Sequence, residues 1–304
     1  MDFLVTDETS KLKSVIIGIA EDSGNVKSVS ELYDPISISN FKSGLYPSQN
    51  AMIGELNNFA ESLKKLGLTV YRPKNIRDCN QIFVRDIGFV IDNYFFKSNI
   101  LPDRSKEFEG IKHILKKFNN EIVDIPEHVH VEGGDIITNN DNIFIGYYDN
   151  KNYTSLKTAR TNKYAVNFFK NFFPKKNVIP LHLEKSNLNF KKNILHLDCC
   201  FQLLGNNGAI IYPNGFSRKR DFNFLRSLFE IDNIFFTNEE EMYNMNNNVL
   251  SLDEKTVVSQ PSHKRLNEWL KIKGFHIELI SLREVSKQGG LFRCSSLPLI
   301  RNRL

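Results

Sequence analysis

The chain has 304 residues, 41% of them hydrophobic and 25% charged, an ordinary globular composition that excludes a disordered tail, a collagen-like fibre and a small disulfide scaffold. Forty Lys and Arg against 35 Asp and Glu leave a formal charge of +5 with no long basic block, so a solvated, mildly basic surface is expected, with neither nucleic acid nor membrane as partner. The four cysteines, Cys79, Cys199, Cys200 and Cys294, form no CxxC pair, and no apolar run has spanning or signal-peptide length, so a cytoplasmic protein in a reducing compartment is expected.

Periodicity along the chain repeats one unit. Leu12–Ile19 has strand character, Asn50–Leu66 places Ile53, Leu56, Phe59, Leu63 and Leu66 at helical spacing, Gly67 stops it, and LTVYRP returns to a strand. Strands are then expected at Ile82–Val90, Tyr94–Ile100 and Glu121–Ile125, with a helix at Phe108–Phe118. A third copy uses Val129–Ile137, Ile143–Tyr148, a helix at Lys163–Phe173 and the strand Asn177–Leu183. The fourth uses Ile194–Leu203, Ala209–Tyr212, a helix at Asp221–Phe229 and the strand Asn233–Thr237. Val249–Leu252, Thr256–Ser259, a helix at His263–Ile272, His276–Ile280 and a closing strand near Phe292–Leu299 make the fifth. Strand-strand-helix-strand modules at about 12–73, 80–126, 128–183, 193–238 and 248–301, without a Pro/Ser-rich linker, predict one α/β domain over 1–304, strands inside and helices outside.

Four segments carry polar groups into apolar runs: IFVRDIGFV (82–90), VHVEGGDII (129–137), ILHLDCCF (194–201) and GGLFRCSSLPLIR (289–301). Burying Asp86, Glu132, Asp135, His196 and Asp198 there is costly unless they meet partners or a cationic ligand. Alternation on a strand sends Arg85 and Asp86 to opposite faces, whereas His196 and Asp198 share one. Gly133-Gly134 permits a bend or a close backbone approach beside Glu132. Cys294 becomes a nucleophile only as a thiolate, which His196 could favour if the modules meet. Each residue also has a bland alternative: a surface Arg85–Asp86 pair, a capped bulge at Glu132, a satisfied core histidine, inert buried thiols. Cys199 and Cys200 are assigned the last of these. His128, His130 and Glu132 at alternate positions form a rival metal face, completed by His196 or Asp198.

VEGGD, HLD and GG-x-x-RC-x-x-LPLIR, in that order on five modules, resemble the guanidino-group modifying superfamily of arginine deiminases, dimethylarginine dimethylaminohydrolases and amidinotransferases, over about residues 12–301. The resemblance implies a five-bladed α/β propeller, no cofactor or metal, a small cationic guanidino substrate, and a homodimer among the allowed assemblies. It implies Cys294 as nucleophile, His196 and Glu132 as its catalytic partners, and Asp86 and Asp198 as guanidinium ligands. Arg160, in Arg160-Thr161-Asn162 after a longer link at 149–159, and Arg104, in ILPDRSKE, match the carboxylate-binding arginines. The absence of room for an added helical domain points to the compact dimethylarginine-hydrolase end of the superfamily. The implied activity is cysteine-dependent hydrolysis of arginine or a methylated arginine, with amidino transfer to an amine as the alternative and a non-catalytic arginine-binding protein as a further one.

Overall fold

A computed structural model describes residues 1–24, 26 and 28–302. Among them are five three-stranded sheets of one design. Two strands pair antiparallel across a short turn, and a third runs parallel to the middle one, which demands a crossover long enough to hold a helix. The strands are β1 (Lys11–Ile17), β2 (Thr69–Tyr71), β3 (Gly88–Ile91), β4 (Tyr94–Lys97), β5 (Ile122–Asp124), β6 (Ile136–Asn139), β7 (Asn142–Tyr147), β8 (Asn177–His182), β9 (Phe201–Leu204), β10 (Gly208–Ile211), β11 (Ile234–Phe236), β12 (Leu250–Ser251), β13 (Thr256–Ser259), β14 (His276–Leu279) and β15 (Ser296–Asn302). The first sheet takes its antiparallel strand from the far end of the chain: β15 pairs with β1, and β1 runs parallel to β2. This is the five-bladed α/β propeller, closed by its last strand.

The crossover helices bury most of the faces their spacing predicts, although in the first of them Ile53 is only half-buried and Leu66, the cap residue, is exposed. Gln49–Lys65 buries Met52, Leu56, Phe59, Ala60 and Leu63, and Lys163–Phe172 buries Ala165, Val166 and Phe169. Apolar side chains at i, i+3, i+4 and i+7 line one side of such a helix and pack on the sheet beneath. The helix expected at Phe108–Phe118 is instead a 3-10 segment, Pro102–Gly110, followed by the short helix Lys112–Leu115. Pro102 fixes the start of that segment, and Arg104 and Glu107, three apart, are both buried within it. Pro35–Lys42, capped by the Asp34 carboxylate on the N–H groups of Ile36 and Ser37, is a helix absent from the expected series.

Three expected strands are shorter than expected, and in each case the missing part carries the motif. Residues 84–87 form a turn before β3, Gly133–Asp135 is a 3-10 turn before β6, and Leu197–Cys199 is another before β9. A strand sends neighbouring side chains to opposite faces, yet Arg85 and Asp86 are both buried, at 4% and 3% exposure, so the chain turns to supply each with its own partners. His196 and Asp198 likewise share no strand face, for His196 is extended backbone capping the turn that holds Asp198. The closing strand begins four residues later than expected, which leaves Cys294 in the turn ahead of it. Among the described residues no helix is long and apolar enough to cross a membrane.

Candidate active site

All four motif turns converge. Cys294 is buried, with Sγ 3.6 Å from Asp198 Oδ2 and 3.1 Å from the Asn248 amide nitrogen. Burial pushes the thiol well above its ordinary range, and the carboxylates Asp198 and Asp86 push it further, so the neutral thiol is the form at rest. The glycine pairs serve close approach. A Cβ on Gly134 would lie 2.7 Å from the His196 ring, and one on Gly290 would lie 2.5 Å from the Phe83 ring.

His196 Nε2 is 2.7 Å from Glu132 Oε2, and His196 Nδ1 is 3.6 Å from Asp86 Oδ1. Burial alone would lower the imidazole pKa, but Asp86, Glu132 and Asp135 outweigh it and raise it to about 9. Burial would raise Glu132, yet the charges of Arg160, His196 and Arg104 hold its carboxyl well below the usual range. At neutral pH the pair is therefore imidazolium and carboxylate. Asp135 accepts the Leu197 N–H at 2.9 Å and the Thr161 hydroxyl at 2.6 Å, tying the histidine turn to the segment after 160.

Both candidate carboxylate-binding arginines are buried and engaged. Arg160 Nη1 donates to both Glu132 oxygens at 3.0 and 3.1 Å, Nη2 to the Tyr33 carbonyl at 3.1 Å, and Nε to the Lys157 carbonyl at 2.5 Å. Arg104 forks onto Glu107 at 2.7 and 2.9 Å and reaches Asp86 Oδ2 at 2.9 Å. Burial drives the Glu107 carboxyl up to about 7 despite Arg104. Neither arginine presents the unshared fork expected of it, because the buried acids beside them require the charge.

Beside Cys294 lies a network absent from the sequence expectations. Arg293, fully buried, donates to Asp198 Oδ2 at 2.9 Å, to both Glu8 oxygens at 3.3 and 2.9 Å, and to the Ile136 carbonyl at 2.6 Å. Arg85 donates through Nε to the Ser296 carbonyl at 2.9 Å, and the alternative of a surface pair with Asp86 is not formed. Asn248, with both amide atoms engaged by the Cys294 turn, also escaped notice. The available signal was a polar run, Asn246-Asn247-Asn248, opening an apolar strand as the other motifs do.

A cavity of about 1040 Å³ opens onto this centre, with Phe83, Asp86, Arg104, Glu107 and Arg160 among its lining residues. Its acids suit a cation. Asp86, Glu132 and His196 place their ligand atoms within 4.8 Å of one another, a spacing a metal ion could use, but two guanidinium groups already meet those carboxylates. The rival metal face is differently arranged: His130 Nδ1 meets the Tyr153 hydroxyl at 2.9 Å and His128 lies edge-on to Tyr164.

A family model described as N,N dimethylarginine dimethylhydrolase, eukaryotic, matches residues 40–301. The chain belongs to this dimethylarginine dimethylhydrolase family. It thereby joins the guanidino-group modifying superfamily named by its motifs. The uncharacterized protein YkgA of Bacillus subtilis (strain 168) is 30% identical over 224 residues, covering 73% of this chain and 70% of that protein. Among solved structures, the N-terminal domain of ArgZ, a cyanobacterial arginine dihydrolase, superposes with a TM-score of 0.79 at 17% identity, over 96% of this chain and 99% of that one. SxtG, an amidinotransferase from Microseira wollei, gives 0.75 at 17% identity, over 99% and 98%. Proteins that share the fold of this family member thus include ones described as an arginine dihydrolase and an amidinotransferase.

Proposed function

We propose that the protein is a cysteine-dependent hydrolase of the guanidino group of arginine or a methylated arginine, yielding a ureido product and ammonia or a methylated amine. The observation that carries this is Asp86, which lines the acid-bearing cavity while its buried Oδ1, without a hydrogen bond among the described residues, has His196 Nδ1 at 3.6 Å beside it. Buried polar atoms without a partner are rare in folded proteins, and a planar cationic fork is the chemical group that satisfies a carboxylate most fully.

In this mechanism the substrate guanidinium binds between Asp86 and Asp198. Its positive charge offsets the acids that hold Cys294 neutral, so thiolate forms as the proton leaves to solvent. Sulfur adds to the guanidinium carbon. The His196 imidazolium donates its proton to the departing nitrogen, the C–N bond breaks, and a cationic amidino-thioether remains on Cys294. Neutral His196, held by Glu132, then takes a proton from water as the water oxygen adds to the same carbon. Collapse to the C=O breaks the C–S bond, the hydroxyl proton restores the Cys294 thiol, and the neutral ureido compound leaves with His196 again an imidazolium. Arg104 and Arg160 are assigned to the carboxylate end of an amino-acid substrate. The four free cysteines support a reducing, cytoplasmic setting.

Incubation with arginine, dimethylarginine and agmatine in isotopically labelled water, followed by mass analysis, tests the proposal. One labelled oxygen in citrulline, with release of ammonia or dimethylamine, is expected. Ornithine formed only when an amine acceptor is supplied would reassign the protein as an amidinotransferase.

A further inference from the structure

Asn248 precedes β12 on the fifth blade, is fully buried, and touches the Cys294 turn with both ends of its amide. Oδ1 accepts two backbone N–H groups, that of Leu291 at 3.2 Å and that of Cys294 at 3.1 Å. This determines which way the amide faces: an NH2 group cannot accept those two donors, so the nitrogen must be the atom turned toward sulfur. Nδ2 lies 3.1 Å from Cys294 Sγ, and its other hydrogen points toward the Asp198 carbonyl at 3.5 Å.

We propose that Asn248 is a positioning residue for the nucleophile, a neutral, preorganised N–H donor that fixes Sγ and stabilises the thiolate. Among the described residues the sulfur also meets the Leu291 N–H and Asp198 Oδ2, the latter at 3.6 Å, which accepts the thiol proton but repels the thiolate. Loss of the proton therefore turns the Asp198 contact unfavourable and strengthens that of Asn248. A donor already aimed in a water-poor site needs no reorganisation when charge develops on its acceptor.

This inference rests on Cys294 being the reactive thiol, as in the proposed function, but its test needs no substrate. The rate at which iodoacetamide alkylates Cys294, located by peptide mass analysis, is followed against pH in wild type, Asn248→Ser and Asn248→Ala. Serine keeps an oxygen for the turn N–H groups and removes the donor that reaches sulfur; alanine removes both. Thermal unfolding establishes that each variant is folded. The expected result is that the serine variant reacts about tenfold more slowly than wild type below the thiol pKa, with its profile displaced alkaline by about one pH unit, and that alanine does at least as much. A folded serine variant with the wild-type profile would overturn the inference, as would a displacement confined to alanine, since either makes Asn248 a brace for the turn alone. Should serine not fold, Asn248→Thr, which also keeps an oxygen and lacks the amide, decides by the same criterion. Absence of turnover on every guanidino compound would overturn the hydrolase proposal while leaving this titration result intact.

Discussion

Glu132 Oε2 and His196 Nε2 are 2.7 Å apart, each residue at 1% exposure, in a contact that joins the second motif turn to the third across 64 positions of sequence. An imidazolium buried this deeply persists only because carboxylates surround it, and its pKa of about 9 keeps His196, the proposed general acid, charged throughout the neutral range. Activity should therefore fall on the alkaline side as His196 loses its proton. In Glu132→Gln that alkaline limb should move toward neutral pH as kcat drops. A kcat–pH profile with an unmoved limb would show that another group governs it. Stability has the same sign: a folded-state pKa raised from 6.5 stabilises fully below pH 6.5, and that contribution is lost as pH rises through about 9.

Cys294→Ser should fold as the wild type and lose turnover by several orders of magnitude, because a serine hydroxyl in this acid-rich pocket cannot ionise. A substrate-derived mass adduct should form on Cys294 and on none of Cys79, Cys199 or Cys200. An adduct on any of those three would displace Cys294 from its assigned role.

Arg160 has two assignments that agmatine, which lacks the α-carboxylate, can separate. Arg160→Lys removes the two-oxygen clamp on Glu132 and should lower kcat for arginine and agmatine alike. If it also serves the substrate carboxylate, KM for arginine should rise several-fold in this variant while KM for agmatine stays constant. Equal KM changes for both compounds would remove the second assignment.

Glu8→Gln removes one of the two carboxylate partners of buried Arg293 and should cost up to about 3–5 kcal/mol in urea unfolding, the range seen when one member of a buried pair is removed. Burial raises the Glu8 carboxyl, but Arg293 and Arg85 pull it down to about 2 from 4.5. Its stabilisation is therefore present above pH 4.5 and lost as pH falls through about 2, so the variant's deficit should shrink in acid. A deficit independent of pH down to 2 would contradict this.

Exhaustive treatment with a chelator should leave turnover unchanged, since Arg104 and Arg160 already neutralise the Asp86 and Glu132 carboxylates. Activity lost with EDTA and restored by one divalent metal would assign the Asp86, Glu132 and His196 cluster to that ion.

The repeating modules were legible because apolar periodicity is local: the spacing from Met52 to Leu63 is enough to mark a helix and its buried side. Module edges were less legible at the motifs. Arg85-Asp86 and His196-Leu197-Asp198 stand in apolar surroundings that read as strand, and only their partners reveal turns. Residues whose role depends on distant chain were invisible. Glu8 belongs to no motif, and it meets Arg293 across 285 positions. Asn248 resembles any strand-opening asparagine until the fifth blade brings it to Cys294, 46 positions later.

The pairing of β15 with β1 makes the order of synthesis matter. While residues 293–302 are missing, the nascent polypeptide has four complete blades, a first blade lacking one antiparallel edge, and Glu8 without its counter-ion. The thiol enters in the same stretch that fastens the ring. A polypeptide stopped before 293 thus has neither Cys294 nor the closing strand, and a nonsense codon anywhere before that position removes both in one event. Seamless head-to-tail ligation followed by opening in the 205–208 hairpin would move that clasp into mid-chain, giving a permutant that acquires its thiol early and its fourth blade last.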